Sequence, residues 1–127
     1  MVKVLVVDDD QESRELLSEV LVTNGYEVGV VKDAASAQEA LAAGSEYQIV
    51  IADLQMPDRN GLELLQHLRK QNTKHELILM SSFISGVERK RALDLGVGAL
   101  LEKPFRLSEL LQAVAELASK RSIGISS

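Results

Sequence analysis

Short apolar runs alternate with segments of helical periodicity along the whole chain. The apolar runs occupy residues 2–7, 27–31, 48–52, 77–80 and 98–102. After each run, leucine, valine and alanine recur at spacings of three and four residues, most clearly between residues 107 and 118. Because strands and helices that alternate in this way pack as βα units, the pattern predicts an α/β fold with a parallel sheet.

Polar residues and glycines mark the expected ends of the helices. A polar side chain before a helix can accept hydrogen bonds from its first free amides, and glycine suits the turn after it. The fourth predicted helix has a thin apolar stripe, and its basic cluster at residues 89–91 is expected to face water. The predicted caps are Asp33, Asn60 with Glu63, and Ser85 with Glu88, and the predicted stops are Gly25 and Gly44.

Five βα units in 127 residues predict an open, doubly wound sheet, because an eight-fold barrel typically needs about 250 residues. The fold class is therefore α/β, a flavodoxin-like (βα)5 sandwich whose five parallel strands follow the order 2-1-3-4-5. We expect residues 1–121 to form this single domain and residues 122–127 to be a C-terminal tail or the start of a linker.

The composition excludes several classes of protein. Hydrophobic residues make up 46% and charged residues 26%, which is the balance of a globular protein. The formal net charge of -5 gives no field that would attract nucleic acid, and the absence of cysteine excludes disulfides and thiolate metal sites. No apolar run reaches membrane-spanning length and no signal-peptide pattern opens the chain, so we predict a cytoplasmic protein without membrane or direct nucleic-acid contact.

Acidic side chains follow two of the predicted strands, at the edge where doubly wound sheets bind ligands. Asp8, Asp9 and Asp10 come after the first strand, and Asp53 comes after the third. Two carboxylates about 4 Å apart repel by roughly 4 kcal/mol at an effective dielectric near 20, so this cluster needs a counter-charge. Oxygen ligands without a nearby cysteine or histidine favour Mg²⁺.

Lys103 after the fifth strand and Ser81 after the fourth give the same edge an anion-binding side. A metal-binding side opposite an anion-binding side suits phosphoryl transfer. In such a reaction a carboxylate can itself be the nucleophile and form an aspartyl phosphate.

Four segments resemble, in order and spacing, the motifs of the receiver domains of two-component response regulators. They are residues 6–10 (VVDDD), 52–61 (ADLQMPDRNG), 80–82 (MSS) and 102–105 (EKPF). The resemblance covers residues 2 to about 121. It implies a signalling module rather than an enzyme, in which Asp53 accepts a phosphoryl group from a phosphohistidine on a sensor histidine kinase or phosphotransfer protein.

The resemblance also implies a role for each motif residue. Asp8 and Asp9 would form the acidic pair, with Asp9 as the direct Mg²⁺ ligand and Asp8 acting largely through water. Asp53 and the backbone carbonyl of Gln55 would complete the protein's share of the coordination. Ser81 would hydrogen-bond the phosphoryl oxygens. Lys103 would pair with them, and its bond to the following proline is expected to be cis.

Members of this family transmit the signal to the face formed by helix four, strand five and helix five. The resemblance implies that two copies of this chain could also form a homodimer through that face. Leu100 stands where the family usually has an aromatic residue that swings inward, so a readout by aromatic rotation is not expected here. Gln55 and Phe83 occupy positions that influence the lifetime of the phosphoryl group, and Ser82 stands where alanine is more frequent.

Two other functions fit some of the same residues. Asp8, Asp10, Ser81 and Lys103 also match the outline of an aspartate-nucleophile phosphatase, whose turnover would depend on Asp8 and not on Asp53. A pseudo-receiver that binds partners without phosphorylation is the other alternative, and Mg²⁺-dependent labelling would exclude it.

Three residues near these motifs have a simpler structural explanation. Three consecutive acidic residues exceed what capping of the first helix needs, so we assign Asp10 to the cap and the other two to the metal. We assign His67 and His75 to the surface because both lie outside the motifs.

Overall fold

The fold is a five-stranded parallel sheet with helices on both faces, seen in a computed structural model that describes residues 1–42, 45–56, 58–71 and 74–126, with side chains up to residue 120. The strand order β2-β1-β3-β4-β5 confirms the predicted order. The strands are β1 (Lys3–Val7), β2 (Glu27–Val31), β3 (Ile49–Asp53), β4 (Glu76–Ser81) and β5 (Ala99–Glu102). The helices are α1 (Gln11–Thr23), α2 (Ala34–Ala40), α3 (Gly61–Lys70), α4 (Gly86–Asp94) and α5 (Leu107–Ser126).

Both faces of the sheet are buried, so the central strands have apolar residues at successive positions. In β3, Val50 and Ala52 face the core beneath α2, α3 and α4, whereas Ile49 and Ile51 face the core beneath α1 and α5. Strands in which both faces are covered are expected to be continuously hydrophobic rather than alternating. This burial explains the uninterrupted apolar runs in the sequence.

The predicted helix caps are largely confirmed. The Asp33 carboxylate accepts a hydrogen bond from the Ser36 amide at 2.8 Å, and Asn60 accepts one from Glu63 at 2.8 Å. Ser85 and Glu88 form the reciprocal capping box at the start of α4. Gly25 follows α1 with a φ of 92°, the left-handed conformation that glycine adopts most readily, whereas the predicted stop Gly44 lies outside the described residues.

The prediction that the Asp10 side chain caps α1 is wrong. Asp10 occupies the N-cap position, but its side chain makes no capping hydrogen bond. Its backbone amide instead donates to the Asp8 carboxylate at 3.0 Å. The carboxylate that organises this turn is therefore that of Asp8, and the Asp10 side chain is left in solvent.

The prediction that His75 lies on the surface is also wrong. His75 is only 9% exposed, and its ring Nδ1 donates to the backbone carbonyl of Tyr47 at 2.8 Å. His75 directly precedes β4 and is covered when the chain enters the sheet beside β3. His67, on α3, is partly exposed as expected.

Helix α5 continues to Ser126, so the backbone of the segment predicted as a tail is helical. The division into residues 1–121 and 122–127 stays a prediction. In the part of the chain that the structure describes, no helix combines the length and apolar character needed to cross a membrane.

Candidate functional site

The register of the sheet brings the predicted site residues to one edge. Val7 of β1 pairs with Ala52 of β3, so Asp8, which follows β1, and Asp53, the last residue of β3, lie at the same level of neighbouring strands. Asp53 in turn pairs with Met80 of β4, and Ser81 pairs with Glu102 of β5. Neighbouring parallel strands lie about 4.8 Å apart, so this alignment brings the polar residues at the carboxyl ends of four strands close together.

Asp53 and Lys103 form an ion pair at the centre of this edge. Lys103 Nζ lies 2.6 Å from Asp53 Oδ2, and the side chain of Asp53 is only 12% exposed. The other carboxylate oxygen, Oδ1, accepts a hydrogen bond from the backbone amide of Gln55 at 3.0 Å. Both oxygens of a shielded carboxylate are therefore oriented, one by an ammonium group and one by the loop that follows β3.

The surroundings of Lys103 favour its charged form. Partial burial lowers the pKa of the ammonium group, but the hydrogen bond to Asp53 and the negative charges of Asp53, Asp8 and Asp10 outweigh that effect. The pKa of Lys103 is consequently raised above its ordinary value of 10.5. Lys103 is therefore the direct counter-charge of Asp53 and also feels the negative charges of Asp8 and Asp10.

We expect the contribution of Lys103 to stability to disappear at alkaline pH. A group whose pKa is raised on folding stabilises the folded state below its ordinary pKa of 10.5, and this stabilisation is lost as the pH rises through the higher folded-state pKa. Lys103→Met should therefore unfold at lower urea than the wild type near pH 7, with a smaller difference near pH 11. An equal difference at both pH values would contradict the ion-pair interpretation.

Asp8 is the most deeply buried carboxylate of the site, and only one of its two oxygens has a hydrogen-bond partner. Its side chain is 1% exposed, and Oδ1 accepts the Asp10 amide, whereas the buried Oδ2 has no hydrogen-bond partner. A buried carboxylate oxygen without a partner lowers the stability of the folded state unless a cation or a hydrogen-bond donor lies beside it. The donor set is therefore suited to a hard divalent cation such as Mg²⁺.

Two of the three other proposed metal ligands differ from Asp8 in exposure. Asp9 and Gln55 are exposed residues, whereas Asp53 is buried. Within the described ranges, no three acidic or histidine side chains lie close enough together to hold a metal ion by themselves. Mg²⁺ does not require one, because it commonly uses one or two carboxylates and retains several waters.

Ser81 lies at the site with its hydroxyl turned toward its own loop. The side chain is 1% exposed, and Oγ donates to the carbonyl of Phe83 at 2.8 Å and accepts the Phe83 amide at 3.2 Å. The carbonyl of Ser81 accepts the Lys103 amide at 2.7 Å. Ser82 is exposed, and the Lys103–Pro104 peptide bond is cis, as predicted.

Three residues outside the predicted site hold its loops in place. Arg14 on α1 donates to the carbonyl of Asp8 at 2.8 Å. Gly61 donates its amide to Leu54 at 2.7 Å, and Asp58 accepts amides at the start of α2. Asp58 and Gly61 lie in the motif at residues 52–61, but the motif does not reveal which groups they contact. The Asp58 contact joins residues 23 positions apart, which meet only in the folded protein.

Comparisons with known proteins agree with this arrangement. Residues 4–115 match the response regulator receiver domain family. The chain is 36% identical to the response regulator MprA of Mycobacterium sp. strain KMS over 121 residues, which cover 95% of this chain and 52% of that protein. It is likewise 36% identical to the transcriptional regulatory protein PmrA of Pectobacterium parmentieri over 118 residues, 91% of this chain and 51% of that one. The chain thus spans about half the length of the curated relatives it matches.

Solved structures show the same fold. The receiver domain of the Francisella response regulator 1452 aligns with a TM-score of 0.88 and 30% identity, covering 95% of this chain and 99% of that one. The chemotaxis protein CheY4 of Vibrio cholerae aligns with a TM-score of 0.81 and 28% identity, covering 92% and 98%. The family match over residues 4–115 and the similarity to the curated response regulators show that the chain belongs to the receiver domains of two-component response regulators.

Proposed function

We propose that this chain is a phosphorylation switch whose acceptor is Asp53. The donor would be a phosphohistidine on a sensor histidine kinase or a phosphotransfer protein, and the reaction would require Mg²⁺. The observation that carries the proposal is the shielded Asp53 carboxylate, held 2.6 Å from Lys103 on the same edge as the unpartnered oxygen of Asp8.

The reaction would be a displacement at phosphorus. An oxygen of the Asp53 carboxylate forms the new O–P bond, the P–N bond to the donor imidazole breaks, and its electron pair stays on the imidazole nitrogen. Asp8, Asp9, Asp53 and the carbonyl of Gln55 would hold the Mg²⁺, which when bound neutralises charge on the transferred oxygens. The chain accepts one group and does not turn over a substrate, which is why we class it as a switch and not an enzyme.

Two side chains can respond to the new charge. Phosphorylation replaces the single negative charge of the Asp53 carboxylate with the roughly 1.5 to 2 negative charges and the three acceptor oxygens of a phosphoryl group. Lys103 can follow the charge from the carboxylate to the phosphoryl oxygens. Ser81 can bind them once its hydroxyl leaves the carbonyl of Phe83, and this exchange would move the loop between β4 and α4.

We propose that the face formed by α4, β5 and α5 transmits this movement, and that a homodimer would use the same face. Helix α4 is weakly anchored, since it buries only Ala92 and exposes Val87 and Leu93. Arg89 on α4 meets Glu102 on β5 at 2.7 Å. Leu100 is partly buried against the core and cannot report by aromatic rotation, so displacement of α4 itself is the proposed signal.

The test is incubation with a small acyl phosphate followed by intact-mass measurement. We expect one labile phosphoryl group on the wild type with Mg²⁺ and none after chelation. Asp8→Asn keeps an acceptor for the Asp10 amide but loses the charge, so it should need on the order of tenfold more Mg²⁺ for the same labelling. Labelling without metal, or an unchanged Mg²⁺ requirement in Asp8→Asn, would contradict the proposal.

A further inference from the structure

Asp58 makes a contact that joins two parts of the chain far apart in sequence. It lies in the loop between β3 and α3, five residues after Asp53. Its Oδ1 accepts the amide of Ala34 at 3.1 Å, and its Oδ2 accepts the amide of Ala35 at 2.9 Å. Both amides belong to the first turn of α2, so the carboxylate binds that turn with both of its oxygens.

Besides the hydrogen bond from the Gln55 amide to Asp53, the loop that carries Asp58 is held at two further points. At its base, the Gly61 amide donates to the carbonyl of Leu54 at 2.7 Å. At Asp58, the contact with α2 is the second attachment. Gln55, whose amide binds Asp53 and whose carbonyl is a proposed Mg²⁺ ligand, lies between the two attachments.

The segment that leads into helix α2 is hydrogen-bonded to the loop after β1, which carries Asp8, Asp9 and Asp10. The Asp8 amide donates to the carbonyl of Val31, the last residue of β2, at 3.1 Å. Helix α2 begins three residues later, at Ala34. Asp58 therefore connects the loop of Gln55 to the segment between β2 and α2, and that segment is hydrogen-bonded to Asp8. The loop after β1, with Asp8 and Asp9, and the loop of Gln55 both carry proposed metal ligands.

The Asp58 carboxylate is favoured in its ionised form. Partial burial raises its pKa, but the hydrogen bonds from Ala35 and Ala34 outweigh that effect and leave the pKa below its ordinary value. Helix α2 already has a cap of its own, because Asp33 accepts the Ser36 amide at 2.8 Å. Asp58 binds two further amides of the same turn, so its carboxylate joins the start of α2 to the loop between β3 and α3.

We infer that Asp58 is a positioning residue for the Mg²⁺ site: by binding the first turn of α2, it holds the Gln55 carbonyl at a set position relative to Asp8. The inference rests on the proposed function. Removing Asp58 would release one of the attachments of its loop and leave every proposed metal ligand in the chain. The expected result is weaker Mg²⁺ binding with an intact acceptor.

The test compares Asp58→Ala with Asp33→Ala. Each variant removes one carboxylate from the start of α2, but only Asp58 belongs to the loop of Gln55. We expect the Kd for Mg²⁺, measured by calorimetry, to rise on the order of tenfold in Asp58→Ala and to stay near the wild-type value in Asp33→Ala. Asp58→Asn retains one acceptor oxygen and should recover part of the affinity.

Labelling by acyl phosphate gives an independent measurement. Asp58→Ala should be labelled slowly at limiting Mg²⁺ and at close to the wild-type rate at saturating Mg²⁺, whereas a general loss of structure would slow both. Equal weakening in Asp33→Ala, or unchanged affinity in Asp58→Ala beside a normal wild type, would overturn the positioning role alone. A wild type that binds no Mg²⁺ and is not labelled would overturn the proposed function and this inference with it.

Discussion

Asp53→Asn is expected to abolish formation of the phosphoryl adduct. Asparagine has nearly the same size and can still accept the hydrogen bond that the Gln55 amide gives to Oδ1. It lacks the anionic oxygen that would attack phosphorus and that now pairs with Lys103 at 2.6 Å. Intact-mass measurement after incubation with acyl phosphate and Mg²⁺ should therefore show an adduct on the wild type and none on the variant.

Asp33→Asn is the matched control for this experiment. It makes the same chemical change at an aspartate outside the site, where asparagine can replace aspartate as a helix cap. We expect it to be labelled like the wild type. Equal labelling of Asp53→Asn and the wild type would assign the phosphoryl group to another residue. Adduct formation that depends on Asp8 and not on Asp53 would favour the phosphatase alternative.

Gly61→Ala is expected to destabilise the fold at the base of the acceptor loop. A Cβ atom on Gly61 would lie 2.9 Å from the backbone oxygen of Asp53 and 2.6 Å from Leu79 Cδ2. The leucine could rotate away, but the backbone of β3 is held in the middle of the sheet, so helix α3 or Asp53 must shift. Overpacking of this kind costs about 1–3 kcal/mol, and urea denaturation should show a loss of that size.

Gly86→Ala provides the comparison, because Gly86 is also the first residue of a helix that follows a capping residue. Among the described residues, nothing beyond its chain neighbours and the backbone of its own helix lies within 4 Å of a Cβ built there. Alanine is a better helix former than glycine, so this variant should be unchanged or gain up to about 1 kcal/mol. If both variants lose the same stability, helix propensity and not contact with Asp53 explains the effect at Gly61.

Much of the site could be predicted because each of its residues directly follows an apolar run. Strand ends in a parallel sheet share one edge, so Asp8, Asp53 and Lys103 had to lie near one another once the strand order was known. The errors concerned residues whose environment is made by distant segments. His75 is buried and hydrogen-bonded to the backbone of Tyr47. Asp10 does not cap α1 with its side chain, and its amide instead donates to the Asp8 carboxylate.

The local sequence by itself determined the strands, most of the helix caps and the set of chemically reactive side chains, since these depend on periodicity and on neighbours a few residues away. Only the tertiary structure decided which oxygen of Asp8 stays unpartnered and that Asp58 binds the start of α2. Those outcomes depend on how loops from separate βα units meet. No short-range pattern encodes such a meeting, because its geometry is set by the packing of the whole sheet.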